Sequence, residues 1–379
     1  MPQAEAIRLI EENADDLEAL QRRRVPCMMA YLHPFRLVET ADEPAWEVTI
    51  EQVNTRGWDY VALHRLVGGV DVGLEPPYHL VVGRDGALAL PPLEALRSPQ
   101  VAVERFNFYL AALLLGGIYC EAITPDGLDI GSIIDWKYIR SHRPGVGAPN
   151  RFHEQIRSLQ ASPSEAIALT SPRRVTLADL DQAMRAGLRM LSAVPMVRGE
   201  YLLKGTTGLA RLDWGAALAN LWIVVEQLLS FLWERHIVTP TVAADSSKAR
   251  RSQLADTRTW TASARIEMLT QKDVIPLESF KALATARKAR NDLHHSGAHP
   301  TAEDAQAAYK GMTGLLVTAL GGERPPLLDL DLADHGLSDP FAPPGPLPGQ
   351  PTHWMAIPKL PGEGDLERAE AKMLRAKRE

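Results

Sequence analysis

Period-two alternation of apolar and polar positions runs through residues 25 to 95. It is visible in "CMMAYL", in "AWEVTIEQV", where Trp46, Val48 and Ile50 share a side, and in "DYVALHRL". "YHLVVGRDGALAL" follows, with Asp85-Gly86 between two apolar runs as a tight hairpin turn. These residues predict a small, mostly antiparallel sheet. Between 100 and 119 the spacing becomes helical, with Phe106, Leu110, Leu113 and Leu114 on one face. Ahead of the sheet, "MPQAEAIRLIEENADDLEALQRRR" reads as an amphipathic helix, acidic and then basic, without the apolar core of a signal peptide.

Residues 124–150 are rich in Gly, Pro and Asp and predict a loop with a short helical turn at most. Helical patterns return over 162–169 and 176–193. From Asp213 to His236, "DWGAALANLWIVVEQLLSFLWERH" is apolar on nearly every side, which predicts a helix in the middle of a bundle; Glu226 is the exception. A polar, basic connector, "VAADSSKARRSQLAD", leads to helices over 257–271 and 277–294. The last helix runs from Ala302 to Leu320, with Thr301 and Asp304 as its capping pair. Four helices in series form a bundle. The fold class expected is therefore α+β: an N-terminal sheet domain with helices (1–200), a helical bundle (201–321) and a flexible Pro/Gly-rich tail (322–379).

With 379 residues, 45% hydrophobic and 23% charged, the chain has the length of two domains and a tail. A net charge of -6 excludes a surface coated for indiscriminate DNA binding, so any nucleic-acid contact must be local. Cys27 and Cys120 stand far apart, which supports neither a disulfide framework nor a zinc-thiolate site and fits a reducing cytoplasm. "YLAALLLGGIY" is too short to span a bilayer and reads as a core helix, so no membrane partner is expected.

One segment is locally basic. Between Lys248 and Arg290, ten cations face four acids. It ends in "KARNDLHHSGAHPT", which gathers Arg290, Asn291, Asp292, His294, His295 and His299. Cleaving RNA without a metal needs a proton-transfer group and a cation for the phosphorane charge. Histidine titrates nearest neutrality, and Arg matches phosphate oxygens with a planar fork. On a straight helix Arg290 and His295 are roughly 140° apart, so they converge only if the helix ends between them, whereas His294 shares the face of Arg290. Gly297, followed by Pro300, is the expected helix end. Geometry alone leaves both histidines open.

"RNDLHH" over 290–295 resembles the signature of HEPN-superfamily ribonucleases, an Arg followed by a polar residue and then, after a short spacer, a His. "LANLWIVVEQLLSFLWER" is similar to the Glu-bearing early helix of Apea-like HEPN domains, with Glu226 at the acidic position, and the likeness extends over most of 100–320. The resemblance implies a homodimer with two motifs facing across a cleft, and RNA cleavage to a 2',3'-cyclic phosphate without a cofactor or metal. In it Arg290 and His295 take the catalytic positions and Asn291 orients the phosphate; Glu226 and His294 support them, and Arg287 and Lys288 contact RNA. A bacterial antiphage or toxin-like stress role is implied in the same way, with a trigger acting on the N-terminal domain.

Plainer readings stand beside these. In a non-catalytic HEPN scaffold, Arg290 would complement the helix dipole and Glu226 would be its buried ion-pair partner. A metal on His295 and His299 needs a third ligand and a helix that Gly297 and Pro300 should break. His33, His64 and His79 read as ordinary histidines, Asp126 and Asp129 as loop caps, and Trp214, Trp222 and Trp233 as core or interface aromatics. No nucleophile elbow or phosphate-binding Gly loop marks the N-terminal region as an enzyme.

Overall fold

The computed structural model describes residues 24–41, 45–75, 78–93, 98–244, 248–332 and 373. The stretch expected as an N-terminal helix, up to residue 23, and the tail beyond 332 otherwise lie outside the described residues. The chain divides into two compact units, Met1–Gly336 and Leu337–Glu379. Sheet and bundle both belong to the first.

In chain order the elements are β1 (Arg24–Tyr31), β2 (Arg36–Glu39), α1 (Ile50–Thr55), α2 (Tyr60–Leu63), β3 (Leu66–Val70), β4 (Leu80–Gly83), β5 (Ala87–Leu90) and α3 (Pro99–Leu115). Next come β6 (Asp129–Ile134), β7 (Tyr138–Arg143), α4 (Ala148–Arg157), α5 (Pro163–Ala166), β8 (Arg173–Thr176), α6 (Leu177–Ala193) and α7 (Gly199–Ala210). The bundle follows with α8 (Trp214–Trp233), α9 (Thr239–Ala244), α10 (Lys248–Ala255), α11 (Ala262–Gln271), α12 (Leu277–Ser296) and α13 (Ala302–Ala319). This is the α+β class expected: a six-stranded sheet in the order β3-β4-β5-β1-β6-β7, antiparallel throughout, and a helical C-terminal region.

Both faces of β1 are covered. Met28 and Ala30 enter the main core, while Cys27, Met29 and Tyr31 enter a smaller cluster on the opposite face. The main core continues from the sheet through α3 and α6 into α8, α12 and α13 without a break near residue 200. Gly116 and Gly187 make the contact between α3 and α6 possible, because a Cβ at either would collide with the backbone of Ala183 or Ala112. In α8, Leu218, Leu221, Val225, Leu228 and Leu232 are fully buried, each contributing about 1.5–3 kcal/mol by removal from water. By length and apolarity Trp214–Ala243 could cross a bilayer, yet half of its apolar window is buried inside the protein, where α8 packs on α7 and α13.

Four expectations are corrected. Trp46, Val48 and Ile50 do not share a strand: Thr49 caps α1 through a reciprocal bond pair with Gln52, and Ile50 is 63% exposed. "DYVALHRL" turns once as α2 before entering β3, capped by Asp59. Residues 124–150 are not mainly loop. They hold β6 and β7, a hairpin whose inner strand pairs with β1 along its length, and the start of α4. The connector 242–256 likewise contains α10. The hairpin at Asp85-Gly86, the helices α3, α6, α8, α11, α12 and α13, and the Thr301–Asp304 capping box are as the sequence predicts.

Candidate functional site

The motif lies on the last turns of α12. This helix runs unbroken from Leu277 to Ser296 and closes at Gly297, whose φ of 68° is the left-handed cap that glycine adopts without strain. The glycine therefore sits beyond His295, not between the two expected catalytic residues. Within one chain Arg290 and His295 stay roughly 140° apart on a continuous helix, so their convergence in a single copy is corrected. Arg287, Arg290, Asn291 and His294 instead follow the i, i+3, i+4, i+7 rule and share one stripe. Lys288 and His295, seven residues apart, share another.

Few side chains among the described residues occupy these groups. Arg290 is half-buried, and its Nη1 donates to Asn291 Oδ1 at 3.3 Å. Lys288, His294 and His295 are exposed, and Arg287 and Asn291 are half-buried. Ala289 and Leu293, between them, pack on the main core and hold the helix end in place. His299 has left the helix and lines a shallow cleft with Lys288, Asp292 and Asp304, so the i, i+4 pair with His295 that a metal would need is not formed.

Glu226 is not the buried ion-pair partner of Arg290. It is exposed on α8, and its Oε1 accepts a bond from Trp222 Nε1 at 2.7 Å. Trp222 and Trp233 are buried, as core aromatics.

The densest chemistry lies elsewhere, at the Asp85 hairpin. The Asp85 carboxylate, fully buried, accepts from Arg157 Nη2 at 2.6 Å, from Arg157 Nε at 2.8 Å and from His153 Nδ1 at 2.7 Å. The His153 ring stacks on Tyr31 with centroids 3.9 Å apart, and Tyr31 Oη donates to Asp129 at 3.1 Å. Asp129 also accepts from Asn150 Nδ2 and from the Gly145 amide. Burial alone would raise the Asp85 carboxyl, but Arg157 and His153 outweigh it and hold it well below the usual carboxylate range. Burial lowers His153, so the cluster is an aspartate–argininium pair with a neutral imidazole donating to it. Every member meets another, which is the signature of architecture.

Beside this network a cleft of about 450 Å³ opens against α7 and α8. His33, Asn150, Lys204 and Arg211 line it, and its wall holds Glu121, 5% exposed, whose Oε2 accepts from Arg211 Nε at 2.6 Å. Sequence reading singled out neither His153 nor Arg157 nor Glu121. Asp85 and His153 are 68 residues apart, so no local spacing links them.

Cys27 and Cys120 are free and buried, and burial pushes both thiols up to about 12, which keeps them unreactive. The ring nitrogens of His64 lie 3.3 Å from the Ile139 carbonyl and 3.1 Å from the Arg157 carbonyl, and the neutral ring donates to one of the two. No family model matches the chain, and no curated protein or solved structure matches it.

Proposed function

We propose that the polar end of α12 is one half of a metal-independent endoribonuclease site of HEPN type, completed by a second copy of the chain. The observation that carries the reading is the contrast in use. Arg287, Arg290, Asn291, His294 and His295 crowd one helix end, and the Arg290–Asn291 bond is the side-chain contact among them. In the reaction, an imidazole removes the 2'-hydroxyl proton and the 2'-oxygen attacks phosphorus. The 5'-oxygen leaves with a proton, giving a 2',3'-cyclic phosphate and a 5'-hydroxyl. Arg290 binds the scissile phosphate with its fork and carries the phosphorane charge, while Asn291 orients it. Lys288 and Arg287 hold flanking phosphates.

The unbroken helix sharpens which imidazole acts where. His294 shares the stripe of Arg290, so the two can reach one phosphate from the same copy. His295 reaches that phosphate from the facing copy, and two-fold pairing supplies this arrangement. The sheet region, with its cleft beside α7 and α8, would receive the activating signal. The setting is a cytoplasmic bacterial defence or stress response, by resemblance alone.

A second reading, a non-catalytic bundle that binds nucleic acid or a protein, is favoured by the divergence of Arg290 and His295 within one chain. One experiment separates the two. Wild type and the Arg290→Ala, His294→Ala and His295→Ala variants are each incubated with tRNA and total RNA in EDTA. The enzyme predicts cleavage by wild type and losses of roughly 10²- to 10⁴-fold in Arg290→Ala and in His295→Ala. Absence of cleavage by wild type supports the scaffold.

A further inference from the structure

A cleft of about 290 Å³ lies on the bundle where α8 meets the N-terminus of α11. Among its walls are Glu226, Ser230, Thr257, Trp260 and Arg265. Arg265 is 8% exposed, yet its Nε has no hydrogen-bond partner, and among the described residues it forms no ion pair. Its other contacts are neutral. Nη1 donates to Ser230 Oγ at 3.2 Å, and the guanidinium lies 5.6 Å from the centre of the Trp233 ring. Trp260 lines the same cleft, and its Nε1–H is likewise buried without a partner.

A buried charge without a counter-charge is among the more costly arrangements a fold can hold, and an apolar side chain of the same volume would remove the cost. Two orphan donors of this kind, one charged, among the residues of one cleft call for an acceptor that the described residues do not supply. The positive end of α11, capped at Thr261, adds to the field there. The Thr257 hydroxyl supplies a further donor, while that of Ser230 already donates to the Glu226 carbonyl. Glu226, held by Trp222, stands at the rim and repels an anion that approaches on its side.

We infer that this cleft is a phosphate-binding site, in which Arg265 Nε and Trp260 Nε1 donate to the oxygens of one phosphate group. Arg provides the planar fork, and a phosphate offers enough oxygens to take both donors and a hydroxyl at once. The phosphate comes either from a small phosphorylated metabolite or from an RNA backbone. The site is separate from the α12 motif and does not depend on its activity.

The test is isothermal titration of the full chain, with tryptophan fluorescence in parallel, using inorganic phosphate, uridine monophosphate, oligouridylate and acetate at constant ionic strength. Saturable binding of a phosphate probe is expected, weakened at least tenfold in Arg265→Met and strengthened several-fold in Glu226→Gln. Arg265→Lys, which keeps the charge and loses the fork, should bind more weakly than wild type and serves if the Met variant does not fold. Binding of inorganic phosphate and the mononucleotide assigns a small metabolite; binding of oligouridylate alone assigns RNA. A response no different from that to chloride, saturation by acetate but not phosphate, or undiminished binding in both Arg265 variants would overturn the inference.

Discussion

The Asp85 cluster and the end of α12 are both dense in titratable groups, and they use them in opposite ways. At Asp85 each charge meets a partner inside the sheet region: carboxylate to guanidinium and imidazole, phenol to Asp129, amide to Asp129. At the end of α12 the side chains of Lys288, His294 and His295 are exposed. Arg265 is the third case, buried like the first and unmatched like the second. The comparison teaches that density of ionisable residues does not by itself mark a site; what counts is whether the fold has already answered them.

The sharpest way to break the comparison is to remove one answer. Asp85→Ala leaves Arg157 and His153 buried without their acceptor and should cost about 3–5 kcal/mol, read as a lower urea midpoint at unchanged slope. An effect below 1 kcal/mol would show that the cluster is hydrated and does not act as architecture.

Acid should act on the same half. Burial holds His33, His64 and His153 below their ordinary value of 6.5, so as the pH falls the unfolded chain takes up protons first. Stability therefore falls as pH drops through about 6.5 toward 5. The depressed carboxyl of Asp85 works in a lower window: its contribution is present above the ordinary carboxylate pKa and is lost only as pH falls below it in stronger acid. Thermal melts at pH 7, 6 and 5 check the first statement; a flat or rising Tm toward pH 5 would contradict it.

A smaller loss, about 1 kcal/mol, is expected from Thr301→Ala, which deletes the side-chain half of the capping box at α13. Chemical denaturation measures it. The smallest effect belongs to the α12 end. His294→Ala and His295→Ala should each change stability by less than about 0.5 kcal/mol, because both side chains are exposed. A loss comparable to that of Asp85→Ala would move these histidines from function to structure.

The helical half was the more readable in sequence, since its apolar spacing is local and its last two helices carry boundary residues of their own. Gly297 closes α12 and Thr301 opens α13, each where the residue type demands it. The sheet half was harder for identifiable reasons. Trp46, Val48 and Ile50 mimic a strand, although Thr49 and Gln52 carry the capping-box pattern that marks the start of α1. The β6–β7 hairpin turns at Asp135 and Trp136, both with positive φ, so it lacks the Asn-Gly or Asp-Gly signal that announced the Asp85 turn. The partners of Asp85 come from a helix dozens of residues away, and Arg265 looks in sequence like one more cation in a basic run. Only packing distinguishes them.

The most direct test of the central claim is complementation between inactive copies. Arg290→Ala and His295→Ala chains are purified separately, mixed under conditions that exchange subunits, and assayed on RNA in EDTA, with the product ends identified by mass. The account predicts no cleavage by either variant alone and recovery on mixing, since one site then holds an intact Arg290 and an intact His295 from opposite copies, with 2',3'-cyclic phosphate ends. Failure to recover from the mixture, where the wild-type chain cleaves under the same conditions, would contradict a site shared between two copies; absence of cleavage by the wild type would contradict the nuclease itself.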